Sequence, residues 1–345
     1  MSLLKETCDA IHARSTGIEQ HIIKNWNDAS DAKQYGRLVN MVSQYGAATN
    51  QKQLTIPKPC MIISSADHGV ADMGVSAYPK ETTIGMTQNY LIPKGAGANS
   101  LANYCGAQME VIDMGVDADM SWVPGLRSHK LGMGTKNFLE EPAMTREQAI
   151  EGIETGIRLV KEKIDEGFNV FLVGEMGISN TTASALMTAK FAGLTAEEAT
   201  GRGTNISDER LKLKQRIVHD VLEKYKYIPK DDAIGILAAV GGFEFTCIVG
   251  VILGAAANHG LVIIDGFNTS ACALVAKTLV PHAMDYVMAS HLSAEKAAKS
   301  SLENLGLEAY VDLGLCLGEA SGGSIQMGML DLAVHMYMAI TGGKA

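Results

Sequence analysis

The chain predicts an α/β fold, a parallel sheet flanked by helices with a small helical domain built from both termini. Three observations predict it. Short apolar runs recur from near the start to near the end, each stopping at a glycine and an acid. Those runs are apolar on both faces, as strands of a parallel sheet are, and amphipathic helical stretches separate them, the rhythm of βαβ units. With 345 residues and 47% hydrophobic content the chain can bury a large core.

The elements follow in order. Residues 2–54 read as helices, with apolar spacing at Ile11, Ile18, Ile22 and again at Leu38, Met41, Val42, packed outside the sheet. Strands are expected at 60–66, running into Asp67-His-Gly69, at 110–112, running into Asp113-Met-Gly115, and at 169–173, running into Gly174-Glu-Met-Gly177. Two more are expected at 234–240, before Gly241-Gly-Phe-Glu244, and at 261–264, before Asp265-Gly266. Helices are expected at 145–166, 182–190, 208–226 and 245–259, further strands at 282–288 and 308–313, and a Met-rich helix at 328–341. The crossovers should be right-handed. The expected division is 1–55 for the first part of the helical domain, 56–300 for a large α/β catalytic domain, and 301–345 for a segment that returns to the helical domain.

Composition excludes several classes. A net charge of −9 and no block of like charges argue against nucleic acid and anionic membranes as partners. Six scattered cysteines without a CxxC pair fit reduced thiols in a cytoplasmic protein. The first residues lack the apolar stretch of a signal peptide, and the most apolar segment, 245–264, is broken at Asn258-His-Gly260.

Strand ends of such sheets gather ligands, so the glycines and acids there carry the chemistry. Gly174-Glu-Met-Gly-Ile-Ser-Asn-Thr-Thr182 joins a strand exit to a helix start, with Gly174, Gly177, Ser179, Asn180 and Thr181 suited to a phosphate or carboxylate, although an ordinary capped turn would look similar. A second turn, Gly201-Arg202-Gly203-Thr204, precedes a helix bearing Lys212 and Lys214, and Arg202 or Lys214 could meet a phosphate. Lys212 reads as part of a solvated face. Glu319 lies between apolar residues and glycines, where desolvation raises a carboxyl pKa and suits a general base. With Glu175 it makes a two-carboxylate pattern, and the plainer alternative is an acid at a helix start. No Walker sequence occurs, and Gly95-Ala-Gly and Gly132-Met-Gly leave the dinucleotide fingerprint incomplete. His68 and His291 lack partners at metal-ligand spacing, so neither cofactor nor metal is expected.

Taken together these motifs resemble the nicotinate-nucleotide:5,6-dimethylbenzimidazole phosphoribosyltransferase family. The marks are Ala66-Asp-His-Gly-Val70, Gly74-Val-Ser-Ala-Tyr-Pro79, Gly174-Glu-Met-Gly-Ile178, Asn180-Thr-Thr182, Gly201-Arg-Gly-Thr204, Val240-Gly-Gly-Phe-Glu244, Asp265-Gly-Phe267, Ser290-His291, Ser293-Ala-Glu295, Asp312-Leu-Gly-Leu315 and Leu317-Gly-Glu319. The resemblance implies a Rossmann-like sheet and a dimer, either a homodimer or a heterodimer with a paralogous subunit. It also implies transfer of 5-phosphoribose from nicotinate mononucleotide to an aromatic base with inversion at C1′. By the same resemblance Glu319 is the catalytic base and Glu175 the second carboxylate. Gly174 to Thr181, Gly201 to Thr204, Lys214 and Ser293 hold ribose and phosphate. Ser76, Tyr78, Gly85, Met86, Gln88 and Leu315 line the acceptor pocket.

The sequence departs from the family pattern at Gly85, where glutamine is common, at Asn205, and after Ser293, where Ala-Glu-Lys-Ala-Ala replaces the usual Gly-His run. Some relatives attach phenol or p-cresol as paired unlike subunits, and the polar-poor Gly85-Met86 region is compatible with that acceptor. A non-catalytic paralogous subunit and a nicotinamide-dependent oxidoreductase are the rival readings. Retention of both Glu175 and Glu319 opposes the first, and the incomplete fingerprints oppose the second.

Overall fold

The computed structural model describes residues 2–342; residue 1 and residues 343–345, the outermost parts of the expected 1–55 and 301–345 segments, lie outside the described residues. Six strands form one parallel sheet: β1 (Pro59–Ala66), β2 (Gln108–Gly115), β3 (Arg127–Ser128), β4 (Val170–Met176), β5 (Leu261–Ile264) and β6 (Val287–Ala289). Their order is β3-β2-β1-β4-β5-β6. The chain therefore winds outward in both directions from the β1–β4 pair. In such sheets ligands bind beyond the carboxyl ends of the strands near that reversal. Ile63 of β1 stands opposite Gly174, and Ser64 opposite Glu175, which brings the β4 exit level with the end of β1.

Every residue of β1, β5 and β6 is buried, and β4 is buried up to Glu175, which explains the apolar runs. One of the five expected strands is a helix instead. Residues 234–240 belong to the helix Ala233–Val240, all of it buried, started by Asp232, whose carboxylate accepts from the Gly235 amide at 2.9 Å. An apolar run of this length has no periodicity of its own when every side is covered, so the pattern that marks a strand also fits a buried helix. The expected strand at 282–288 divides into a 3-10 helix, Pro281–Tyr286, and the short β6. The one expected at 308–313 reduces to a single bridge between His291 and Val311.

The helix Phe243–Ala257 lies against β1, β2, β4 and β5, and the helix Arg146–Asp165 packs on it backbone to backbone. A Cβ added at Gly250 would stand 2.0 Å from the Ile153 carbonyl oxygen, and one at Gly156 would stand 2.1 Å from that of Cys247. The two chain ends also pack together. Trp26, on the helix Thr16–Ala29, and Tyr337, on the helix Ser321–Ile340, are fully buried with ring centroids 5.4 Å apart. The helix Ser321–Ile340 also lies against β4 and β5, so it ties the terminal helices to the sheet. No helix among the described residues is long and apolar enough to cross a membrane.

Substituting Gly250 by leucine forces these two backbones apart. Overpacking of a filled core costs about 1–3 kcal/mol. The Gly250→Leu protein should unfold at lower urea than the parent, and an unchanged midpoint would contradict the close contact.

Candidate active site

A cleft opens at the carboxyl ends of β4, β5 and β6. Its walls include Glu175, Gly177, Asn180 and Thr181 after β4, Phe267 and Asn268 after β5, and His291, Ser293 and Glu295 after β6. Gly203 and Thr204 and the segment from Cys316 to Glu319 close it. Eight residues expected at the site thus share one cleft: Glu175, Gly177, Asn180, Thr181, Gly203, Thr204, Ser293 and Glu319.

The two carboxylates reach it by different routes. Glu175 is the penultimate residue of β4, and a chain of amides orients it. Ser184 Oγ donates to Asn268 Oδ1 at 2.7 Å, Asn268 Nδ2 donates to Asn180 Oδ1 at 3.1 Å, and Asn180 Nδ2 donates to Glu175 Oε2. Glu319 sits in a tight turn where both it and Ala320 have left-handed backbone, φ +60° and +58°. Such backbone is strained for residues with side chains, so the surroundings must hold it. Gly174 forms the seat: a Cβ there would meet the Ala320 nitrogen at 2.6 Å and the Glu319 carbonyl carbon at 2.8 Å. Gly174 is expected at the nucleotide but lies instead beneath the Glu319 turn, outside the cleft wall.

Neither carboxylate has an ion-pair partner among the described residues. Burial pushes the Glu175 carboxyl up to about 8; the Asn268 and Asn180 amides work against this, and the Glu244 and Asp265 carboxylates add to it. Burial also raises Glu319, with Tyr90 opposing and Asp265 adding. Tyr90 is buried, and desolvation together with the Glu319 and Glu175 charges lifts its phenol well above the usual range. Behind the cleft, His68 Nε2 and Glu244 Oε1 form a wholly buried pair at 2.7 Å.

On the other side Lys214, on the helix Asp208–Lys224, is buried and donates to Thr181 Oγ1 at 2.7 Å. Burial lowers its ammonium to about 8, and the Glu295 charge acts against that shift. An ammonium carries three donors, and Thr181 takes one. Glu295 Oε1 accepts from the Gly203 amide at 2.7 Å and so shapes the second glycine turn, while Gly201 packs against the same carboxylate. Ser76 Oγ is 3.3 Å from Thr204 Oγ1.

Other expected residues lie outside the cleft wall. Arg202 is exposed and occupied by its own loop, donating to the Ile206 carbonyl at 2.8 Å and to Asp208 at 2.5 Å. Ser179 is buried, with φ +77°, just before the helix Asn180–Ala192. Gly85, Met86 and Gln88 lie on the helix Thr82–Asn89, which Thr83 ties to the cleft by accepting from the Ile178 amide at 3.1 Å. Tyr78 is exposed, and Leu315 is half-buried, its carbonyl accepting from Ala294 at 2.9 Å. Asn268 and Glu295 were not expected to act at the site, although both stand in or beside the quoted motifs; nothing in the local sequence marks Tyr90. No group of His, Cys, Asp and Glu among the described residues could hold a metal ion.

Residues 11–343 match the family model described as phosphoribosyltransferase, which defines the class of this enzyme as a pentosyltransferase. The chain is 43% identical over 301 residues to the nicotinate-nucleotide–dimethylbenzimidazole phosphoribosyltransferase of Geotalea uraniireducens (strain Rf4), covering 87% of this chain and 85% of that protein. With the enzyme of the same name from Geobacter metallireducens it shares 40% identity over 337 residues, 97% and 95% of the two chains. The crystal structure of CobT from Thermus thermophilus superposes with a TM-score of 0.88 at 33% identity, over 93% of this chain and 96% of that one. The chain belongs to the nicotinate-nucleotide–dimethylbenzimidazole phosphoribosyltransferase family.

The raised Glu175 pKa has a sign that can be measured. The folded chain keeps this proton up to about pH 8, while the unfolded chain releases it near 4.5. The folded state holds the extra proton between those values, so this contribution to stability falls as pH rises from about 4.5 to about 8. Urea unfolding of Glu175→Gln should show a flatter stability profile over that range than the parent, and identical slopes would contradict the buried, protonated carboxyl.

Proposed function

We propose that the enzyme transfers 5-phosphoribose from nicotinate mononucleotide to an aromatic acceptor, giving an α-riboside phosphate and nicotinate. The observation that carries this reading is the meeting of two buried carboxylates, Glu175 and Glu319, in one cleft that also presents Thr181 with Lys214 behind it. The names of the relatives point to dimethylbenzimidazole as acceptor.

In this reading the bond from C1′ to the pyridinium nitrogen breaks, and its electron pair neutralises the ring as nicotinate leaves. The acceptor bonds to C1′ from the opposite face and loses its proton to Glu319. Positive charge builds on the ribose meanwhile, as in glycoside hydrolysis, and a carboxylate beside it stabilises that charge. Glu175 supplies this carboxylate once the substrate's pyridinium charge draws its pKa down. Lys214, Thr181 and the turn at Gly203 hold the phosphate, and Ser293 assists from the opposite strand end. The acceptor occupies the side bounded by Ser76, Tyr78 and the helix carrying Gly85, Met86 and Gln88. The working assembly is a dimer, of like chains or with a paralogous subunit.

Phenol or p-cresol is the second reading for the acceptor. Gly85 and Met86 favour it, because neither brings a hydrogen-bonding side chain to a benzimidazole nitrogen. A phenol with a pKa of about 10 would also need a stronger base, and burial moves Glu319 in that direction.

A chromatographic assay with nicotinate mononucleotide and each of dimethylbenzimidazole, adenine, phenol and p-cresol should reveal a riboside phosphate. Glu319→Gln should lower kcat by roughly 10²-fold or more, the scale of general base catalysis, with KM for the nucleotide little changed. Equal activity in variant and parent would remove Glu319 as base. Lys214→Ala should raise that KM by about tenfold or more, as expected for one charge-assisted hydrogen bond, and an unchanged KM would take Lys214 out of the phosphate site. If the chain is inactive with all four acceptors but active once the paralogous chain is added, the heterodimer holds.

A further inference from the structure

The helix Ser321–Ile340 begins two residues after Glu319 and has no capping side chain of its own: its N-cap is Ala320, which cannot accept a hydrogen bond through a side chain. The exposed amides of a buried helix start need an acceptor. Asp265, more than fifty residues earlier, supplies it. Its Oδ1 accepts from the Gly322 amide at 2.7 Å and from the Gly323 amide at 3.2 Å. Asp265 follows β5 and is itself buried. The end of β6 braces it, since Ser290 Oγ donates to the Asp265 carbonyl at 2.7 Å and lies 3.1 Å from His291 Nδ1. The His291 ring lies against Gly322, where a Cβ would come within 1.9 Å of Nδ1. The strained pair Glu319–Ala320 is thus held from below by Gly174 and from its helical end by Asp265.

We propose that Asp265 is a positioning residue for Glu319: by capping the helix Ser321–Ile340 from a distant strand end, it fixes the left-handed turn that presents the Glu319 carboxylate to the cleft. The proposal rests on Glu319 being the base. It assigns Asp265 no contact with substrate and no proton transfer. What the cap requires of residue 265 is an oxygen acceptor, not a negative charge, and asparagine caps helices about as well as aspartate.

Three variants, Asp265→Ala, Asp265→Asn and Glu319→Gln, test this together. For each, nicotinate mononucleotide binding is measured by calorimetry and transfer by product formation. Asp265→Ala should bind the nucleotide nearly as the parent does while kcat falls by about 10²-fold, the loss expected when a reacting group moves by about 1 Å. Asp265→Asn should restore kcat to within about fivefold of the parent, given the equivalence of the two caps. Loss of kcat in Asp265→Asn with nucleotide binding intact would overturn the proposal, because it would mean that the charge matters; this arm stands even if the alanine variant fails to fold. Full kcat in a folded Asp265→Ala would overturn it as well. Full kcat in Glu319→Gln would instead discard the base itself, so the two failures are told apart.

Discussion

Glu319 can share a cleft with Glu175 because Gly174, two residues before the end of β4, bears no side chain. The Gly174 backbone comes so close to the Glu319–Ala320 turn that a single added carbon would collide with it. The left-handed backbone at 319 and 320 is costly and persists because the rest of the fold is built around it. Glycine lies below, the core helix Ser321–Ile340 leads away, and terminal helices clasp that helix from outside. The terminal segments thus pack on the helix that follows directly after the turn.

The charge arrangement follows from the same burial. Two carboxyl groups with no cationic neighbour are driven toward their neutral forms, and a lysine with a single hydroxyl partner is driven toward deprotonation. Each of these groups is costly to charge where it is buried, and a neighbour of opposite sign makes it easier to charge. On the proposed reading, a phosphate next to Lys214 would restore its ammonium, and a pyridinium or a developing oxocarbenium charge would restore the carboxylates. A nucleotide that carries both charges would settle both corners of the cleft together.

Much of this was legible in the sequence, for a physical reason. Strands buried on both faces must be apolar throughout, and their ends must turn where ligands bind, so 60–66, 110–112, 169–173 and 261–264 and the acids after them could be read from composition alone. The stretch 234–240 misled because a fully buried helix carries the same continuous apolar signal. Glu175, Thr181 and Lys214 stood out through glycines and charges nearby in the chain. Tyr90, the seating role of Gly174 and the cap by Asp265 did not, because each depends on a partner far away in the sequence. Arg202 was attractive as a lone cation in a glycine turn, yet Asp208, six residues on, neutralises it locally.

The central claim is that one base-assisted displacement takes place at C1′ between Glu175 and Glu319. The most direct test is the configuration of the product, read from the proton coupling at C1′ by NMR after the chain is incubated with the β-configured nicotinate mononucleotide and an acceptor that it uses. A single inverting displacement predicts the α-riboside phosphate alone. A product that retains the β configuration would require two displacements or a long-lived free cation, and would contradict the account.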